Sequence, residues 1–171
     1  MTITLTTATV PVFKTVLNNL SHCLNQATAH AEQRGFSPDA FVLQRLAPDM
    51  LPLASQIRIA CDAAKNGTAR VAGIEAPKFA DDETTMVELQ ARIGKTLAWL
   101  ESVPEGALDG REEQVVTFPA GKDQTKTLAG EAYVKHVVLP NFYFHAVTAY
   151  NLLRHSGVAL GKMDYLVGAR S

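Results

Sequence analysis

The chain has 171 residues, of which 47% are hydrophobic and 19% charged, and a formal net charge of -1. Its length suits one domain around one core, and its composition excludes a disordered chain. The near-zero charge offers no basic face for nucleic acid, and no apolar run approaches the roughly 20 residues that a membrane span needs.

The opening segment, MTITLTTATVPVFK, has no basic stretch followed by a long apolar one, so the reading is a cytoplasmic protein without a signal peptide. Pro11 then suits a first helical turn, and Phe13, Val16, Leu17, Leu20, Leu24, Ala27 and Ala31 recur at steps of three and four. Gly35 stops this first helix, and Ser37-Pro38 opens a short one through Phe41, Val42 and Leu46. Pro48 and Pro52 interrupt that segment. Because proline is best tolerated in a first turn, the spacing predicts a second long helix from Pro48, with a stripe of Met50, Leu53, Ile57, Ala60, Cys61 and Ala64. Asn66-Gly67 is expected to end it, followed by a further short helix or turn through Val71 and a loop from Gly73 to Asp82.

Thr85 and Glu88 form the sequence signature of a capping box, and Met86, Leu89, Ile93, Leu97 and Leu100 supply the buried face of a third helix that Pro104 and Gly106 close. Gln114-Val115-Val116-Thr117-Phe118 followed by Pro119-Ala120-Gly121-Lys122-Asp123 reads as a small β-hairpin across one end of the bundle. A fourth helix from about Thr127 is apolar almost all round, with Val134, Val137, Val138, Phe142, Tyr143, Phe144, Val147, Tyr150 and Leu153, which predicts a central helix or a subunit interface. Pro140 is expected to kink or divide it, with Asn141 capping the second part, and Gly157 to end it. The tail carries a cluster of Asp164, Tyr165 and Leu166. The whole chain, 1–171, is read as one domain: all-α, an up-down four-helix bundle with a β-hairpin before the last helix.

Metal sites on helices use side chains three or four positions apart. No two of the five histidines, His22, His30, His136, His145 and His155, have that spacing, and there is no H-E-x-x-H or C-x-x-C. His145, in the middle of the apolar fourth helix, is the best single candidate; Asp49 or Gln56 of the second helix could hydrogen-bond it. His22, His30 and His136 read as surface or edge residues and His155 as a cation at a helix C-terminus. Cys23 and Cys61 read as buried reduced thiols. Gly157–Lys162 follows a helix instead of preceding one, so it is not a phosphate loop.

The segment LPNFYFHAVTAYNLLRHSGVALGKMDYL at 139–166, with RLAPDMLPLASQIRIACD at 45–62 and VTFPAG at 116–121, resembles a bacterial and fungal family of unknown function. That family is grouped with the DinB/YfiT-like superfamily of metal-dependent enzymes. The resemblance implies an up-down four-helix bundle, often dimeric. It also implies a metal site with one histidine on the second helix and two, four residues apart, on a later helix. Some relatives are thiol-dependent transferases or isomerases. His145 matches one of the late pair, but four residues on stands Ala149 and four back Asn141, and the second helix offers Ser55 and Gln56 where a histidine is expected.

No resident metal or other cofactor is therefore expected. The leading expectation is a bundle that binds a small molecule or a partner in the central cleft, with His145 as a catalytic candidate and Asp49, Gln56, Tyr143 and Tyr150 as ligand-binding residues. The alternatives are a metal-dependent hydrolase or thiol-dependent transferase using His145, and a structural homodimer joined through the fourth helix. Neither nucleic acid nor membrane is expected as a partner.

Overall fold

The structure, a computed structural model, describes residues 3–169. Helix α1 (Val10–Gln33) carries proline in its first turn and buries Phe13, Leu17, Leu20 and Leu24 along one stripe. Gly35 beyond its end has φ 74°, a left-handed conformation that a side chain disfavours. A 3-10 turn (Pro38–Phe41) follows, with the Ser37 hydroxyl accepting from the Asp39 amide.

Helix α2 (Leu53–Ala72) starts five residues later than Pro48. Residues preceding a proline avoid the helical region, so Leu51 cannot join a helix that runs into Pro52, and Pro52 itself is extended, with ψ 169°. Its C-terminus also differs from expectation. Asn66-Gly67 does not end the helix, which continues to Ala72 and stops at left-handed Gly73. Gly67 is glycine for a different reason: a Cβ there would run into Val138 Cγ1 and stand 3.0 Å from Cγ2. Its missing side chain lets a later helix approach.

Helix α3 (Met86–Ser102) begins with the capping box read from the sequence. The Glu88 amide donates to Thr85 Oγ1 at 3.2 Å, and the Thr85 amide to Glu88 Oε2 at 2.9 Å. Strands β1 (Val115–Pro119) and β2 (Thr125–Ala129) pair antiparallel, with Val116 opposite Leu128 and Phe118 opposite Lys126. Period-two alternation turns Val116 and Phe118 inward.

Helix α4 (Gly130–Tyr133), a π-helical turn (Val134–Val138) and helix α5 (Leu139–His155) follow without a break. The kink or division expected at Pro140, with Asn141 as cap, is absent: the preceding turn is widened instead, and Asn141 lies inside α5. Proline cannot donate to the carbonyl four residues back. The Leu139 amide bonds instead to the Val134 carbonyl, five residues away, and the helix runs through. A short helix α6 (Lys162–Leu166) then lies on α1, held by Asn19 Nδ2 donating to the Tyr165 carbonyl at 2.8 Å and by His22 Nε2 3.0 Å from Asp164 Oδ1.

The four long helices α1, α2, α3 and α5 form an up-down bundle. Gln56 meets His145 while Arg70 meets Tyr133, so α2 and α5 are antiparallel. Ser21 meets Gln90 while Lys14 meets Glu101, so α1 and α3 are too. Phe13, Leu17, Leu53, Ile57, Leu89, Ile93, Phe142 and Leu152 fill the centre. One stripe of α5 remains uncovered: Tyr143, Phe144 and Val147 are 39%, 58% and 39% exposed. No helix among the described residues is long and apolar enough to cross a membrane.

Candidate functional site

The seam between α2 and α5 is built from positions three and four apart. Gln56, Ala60, Ala63, Gly67 and Arg70 face it from α2, Val138 from the π-helical turn, and Asn141, His145 and Ala149 from α5. Small residues on α2 bring the backbones together, so the few polar side chains along the seam stand in an otherwise apolar wall.

His145 lies at one end, 8% exposed, with Nδ1 2.7 Å from Gln56 Oε1. The protonation of the ring follows from its neighbours. Gln56 Nε2 donates to the Leu51 carbonyl at 3.0 Å, which can only accept. Gln56 therefore presents its own carbonyl oxygen to His145, and Nδ1 must carry the proton. Burial pushes the imidazole pKa below its usual 6.5, so at neutral pH the ring is uncharged. Nε2 is left with a lone pair and makes no hydrogen bond among the described residues. Phe144, edge-on at 5.1 Å, borders the ring and is substantially exposed.

The structure brings together only part of the expected site. His145 and Gln56 meet. Asp49 does not join them: it lies in the exposed turn before α2, outside any helix, because α2 begins after Pro52. Tyr143 and Tyr150 point another way. Two helical positions subtend about 200°, so Tyr143 faces nearly opposite to His145. Tyr143 lines an apolar hollow of about 330 Å³ with Val12, Val16 and Tyr165, while Tyr150 packs on Tyr165 with ring centroids 5.9 Å apart. Tyr165 Oη is buried without a hydrogen-bond partner among the described residues, and burial, with Tyr143 nearby, pushes its pKa up to about 12.

The donor set does not fit the metal that the family resemblance implies. Ala149 is fully buried and offers no donor atom, and the Gln56 amide is committed to Leu51 and to Nδ1. No group of three or more His, Cys, Asp or Glu side chains among the described residues could hold a metal ion. The thiols are equally unsuited to act as nucleophiles: burial pushes both Cys23 and Cys61 up to about 12.

Sequence reasoning missed a second polar cluster, between α2, α3 and the loop that joins them. Arg92, 2% exposed, reaches Glu83 Oε1 at 3.0 Å, Asp81 Oδ1 at 3.2 Å and the Ala80 carbonyl at 2.8 Å. Asp62 Oδ1 lies 3.0 Å from Arg92 Nη2 and 3.2 Å from Lys65 Nζ; these contacts are ionic, without hydrogen-bond geometry at Nη2. Arg58 Nε adds a 2.6 Å bond to Glu83, and Phe79 lies under both Lys65 and Arg92. Three cations thus meet three carboxylates. The balance marks a structural clasp that ties the loop to the bundle, with no charge left over for a ligand.

The model of a domain of unknown function, DUF1993, matches residues 5–166. The chain belongs to the DUF1993 family. Among solved structures, a DinB family member protein from Shewanella denitrificans is 38% identical, covering 98% of this chain and 94% of that one, with a TM-score of 0.87. No curated protein matches. The DUF1993 chain thus has a DinB-like fold, as the three sequence motifs implied, and its family has no assigned function.

Proposed function

We propose that this DUF1993 chain is a small-molecule-binding bundle that uses His145 as its polar contact and works without a resident metal. The observation that carries this is the Gln56–His145 bond, which fixes one tautomer and leaves Nε2 as a neutral acceptor or base. Such a nitrogen suits a ligand with a hydroxyl or N–H group. If the site is catalytic, it suits proton abstraction by His145, with Gln56 orienting the ring. The free, buried Cys23 and Cys61 accord with a reducing, cytoplasmic setting.

Protein purified without a histidine tag tests the reading. Imidazole NMR is expected to show His145 as the Nδ1–H tautomer with a midpoint below 6.5. Gln56→Glu should raise that midpoint, since a carboxylate favours the imidazolium. Stoichiometric zinc or nickel that disappears in His145→Ala would refute the metal-free site and favour a metal-dependent hydrolase or thiol-dependent transferase.

A second reading has its own support. The exposed Tyr143, Phe144 and Val147 make an uncharged apolar stripe on α5, of the kind a second copy could cover. Light scattering is expected to give twice the chain mass if that stripe joins two copies, and a strict monomer removes this reading.

A further inference from the structure

Arg70 lies 14 residues along α2 from Gln56, roughly 21 Å at helical rise, and short of it the same seam opens into a different cleft. It holds about 130 Å³ and is lined by Ala63, Gly67, Arg70, Phe118, Tyr133 and Asn141, together with Val138. Arg70 is half-buried there, and among the described residues it has no carboxylate partner. Its one side-chain hydrogen bond runs from Nη1 to Tyr133 Oη at 3.0 Å. The contrast with Arg92, which is surrounded by acids, is direct.

That single bond also sets the polarity of its partner. A guanidinium can only donate, so Tyr133 Oη accepts from it, and the phenolic proton remains available. The Asn141 amide, one turn from His145, makes no side-chain hydrogen bond among the described residues. Phe118 packs against the Tyr133 ring at 4.7 Å and fixes the hydroxyl from behind. The cleft therefore presents a guanidinium and a phenol proton, both donors, and an amide that can donate through Nδ2, around a small space. Its floor is the π-helical turn, a local widening that often accompanies binding sites.

We propose that this cleft binds a small oxyanion, a carboxylate or a phosphate, clamped by Arg70 with Tyr133 and Asn141 as further donors. The cleft is small, with room for an oxyanion or an anionic head group. Arginine suits this role because its planar fork matches two oxygens at once. His145 does not line this cleft, so this site stands or falls separately from the one above.

The test is titration of the full chain with sodium phosphate and, separately, sodium acetate, at constant ionic strength, followed by amide NMR. Saturable shifts are expected at residues of the cleft in at least one titration. Arg70→Gln should weaken that binding at least about tenfold, since a hydrogen bond to a charged group is lost. Arg70→Lys should retain part of it, and Tyr133→Phe should weaken it less than Arg70→Gln does. Anion-free spectra of each variant check the fold, and only variants with wild-type dispersion are compared. No saturable shift with either anion in the wild type, or equal binding in a folded Arg70→Gln, would overturn the proposal. Shifts centred on His145 instead would likewise refute it, while leaving the first site intact.

Discussion

Arg92→Ala is expected to destabilise the protein by about 3–5 kcal/mol in urea unfolding at neutral pH, the range found when one member of a buried ion cluster is removed. The loss comes from what remains. Asp62 and Glu83 would keep their charges in a site shaped to neutralise them, with Ala80 losing a donor as well. Removing charges in balance, with Arg92→Met and Glu83→Gln together, should cost less than Arg92→Ala alone. If the single substitution costs under about 1 kcal/mol, the cluster behaves as a screened surface pair and the clasp is wrong.

The same cluster gives stability a pH dependence whose sign can be worked out. Burial opposes ionisation of Glu83, but its own backbone hydrogen bond and the guanidinium groups of Arg58 and Arg92 outweigh that, and the carboxyl stays below its ordinary 4.5. A carboxylate with a lowered folded pKa stabilises above its unfolded value. That contribution fades as the pH falls from about 4.5 through the folded value. Arg92→Ala should therefore flatten the acid limb of the stability curve.

Phe142→Ala should cost about 3–5 kcal/mol, the usual range for emptying a large aromatic site in a core. The ring is fully buried and meets Phe13 edge-on at 4.7 Å, joining α5 to α1. Its near neighbour Phe144 is the control. At 58% exposed, Phe144→Ala should change monomer stability by no more than about 0.5 kcal/mol. Equal losses at both positions in thermal unfolding would mean that the inward and outward faces of α5 are misassigned.

Much of the architecture could be read from local signals. The stripe of α1, the capping box at Thr85 and Glu88 and the hairpin all rest on residues close together in sequence, and the structure has each of them. The misreadings share a cause. Asn66-Gly67 looks like a stop signal, yet Gly67 answers to Val138 on another helix, a contact that no local window contains. The Arg92 clasp was invisible for the same reason: Asp62 and Lys65 of α2, Arg92 of α3 and Glu83 of the loop between them meet only in the folded chain.

The candidate site was half legible. The partnership of His145 with Gln56 was among the alternatives raised, and the structure has it. Placing Tyr143 and Tyr150 beside His145 was avoidable, because residues two and five apart on a helix cannot share its face. The Arg70 cleft was out of reach. It needs the hairpin's Phe118 and the helix's Tyr133 to meet on α2, and only tertiary folding brings them there.

The wide turn at Val134–Val138 sets the angular register between the two ends of this helix. A regular α-helix would place Asn141 about 80° around the axis from Tyr133, but a turn that takes up one additional residue returns the two to nearly the same side. Shortening this stretch by a single residue would restore ordinary winding and keep the two on that side, because seven α-helical steps turn through about 700°, only about 20° short of two full turns. The wide turn thus absorbs one residue without moving the hairpin: a relative one residue shorter here keeps that end of the molecule by winding as an ordinary α-helix, whereas regular winding at the present length would swing it by about 80°.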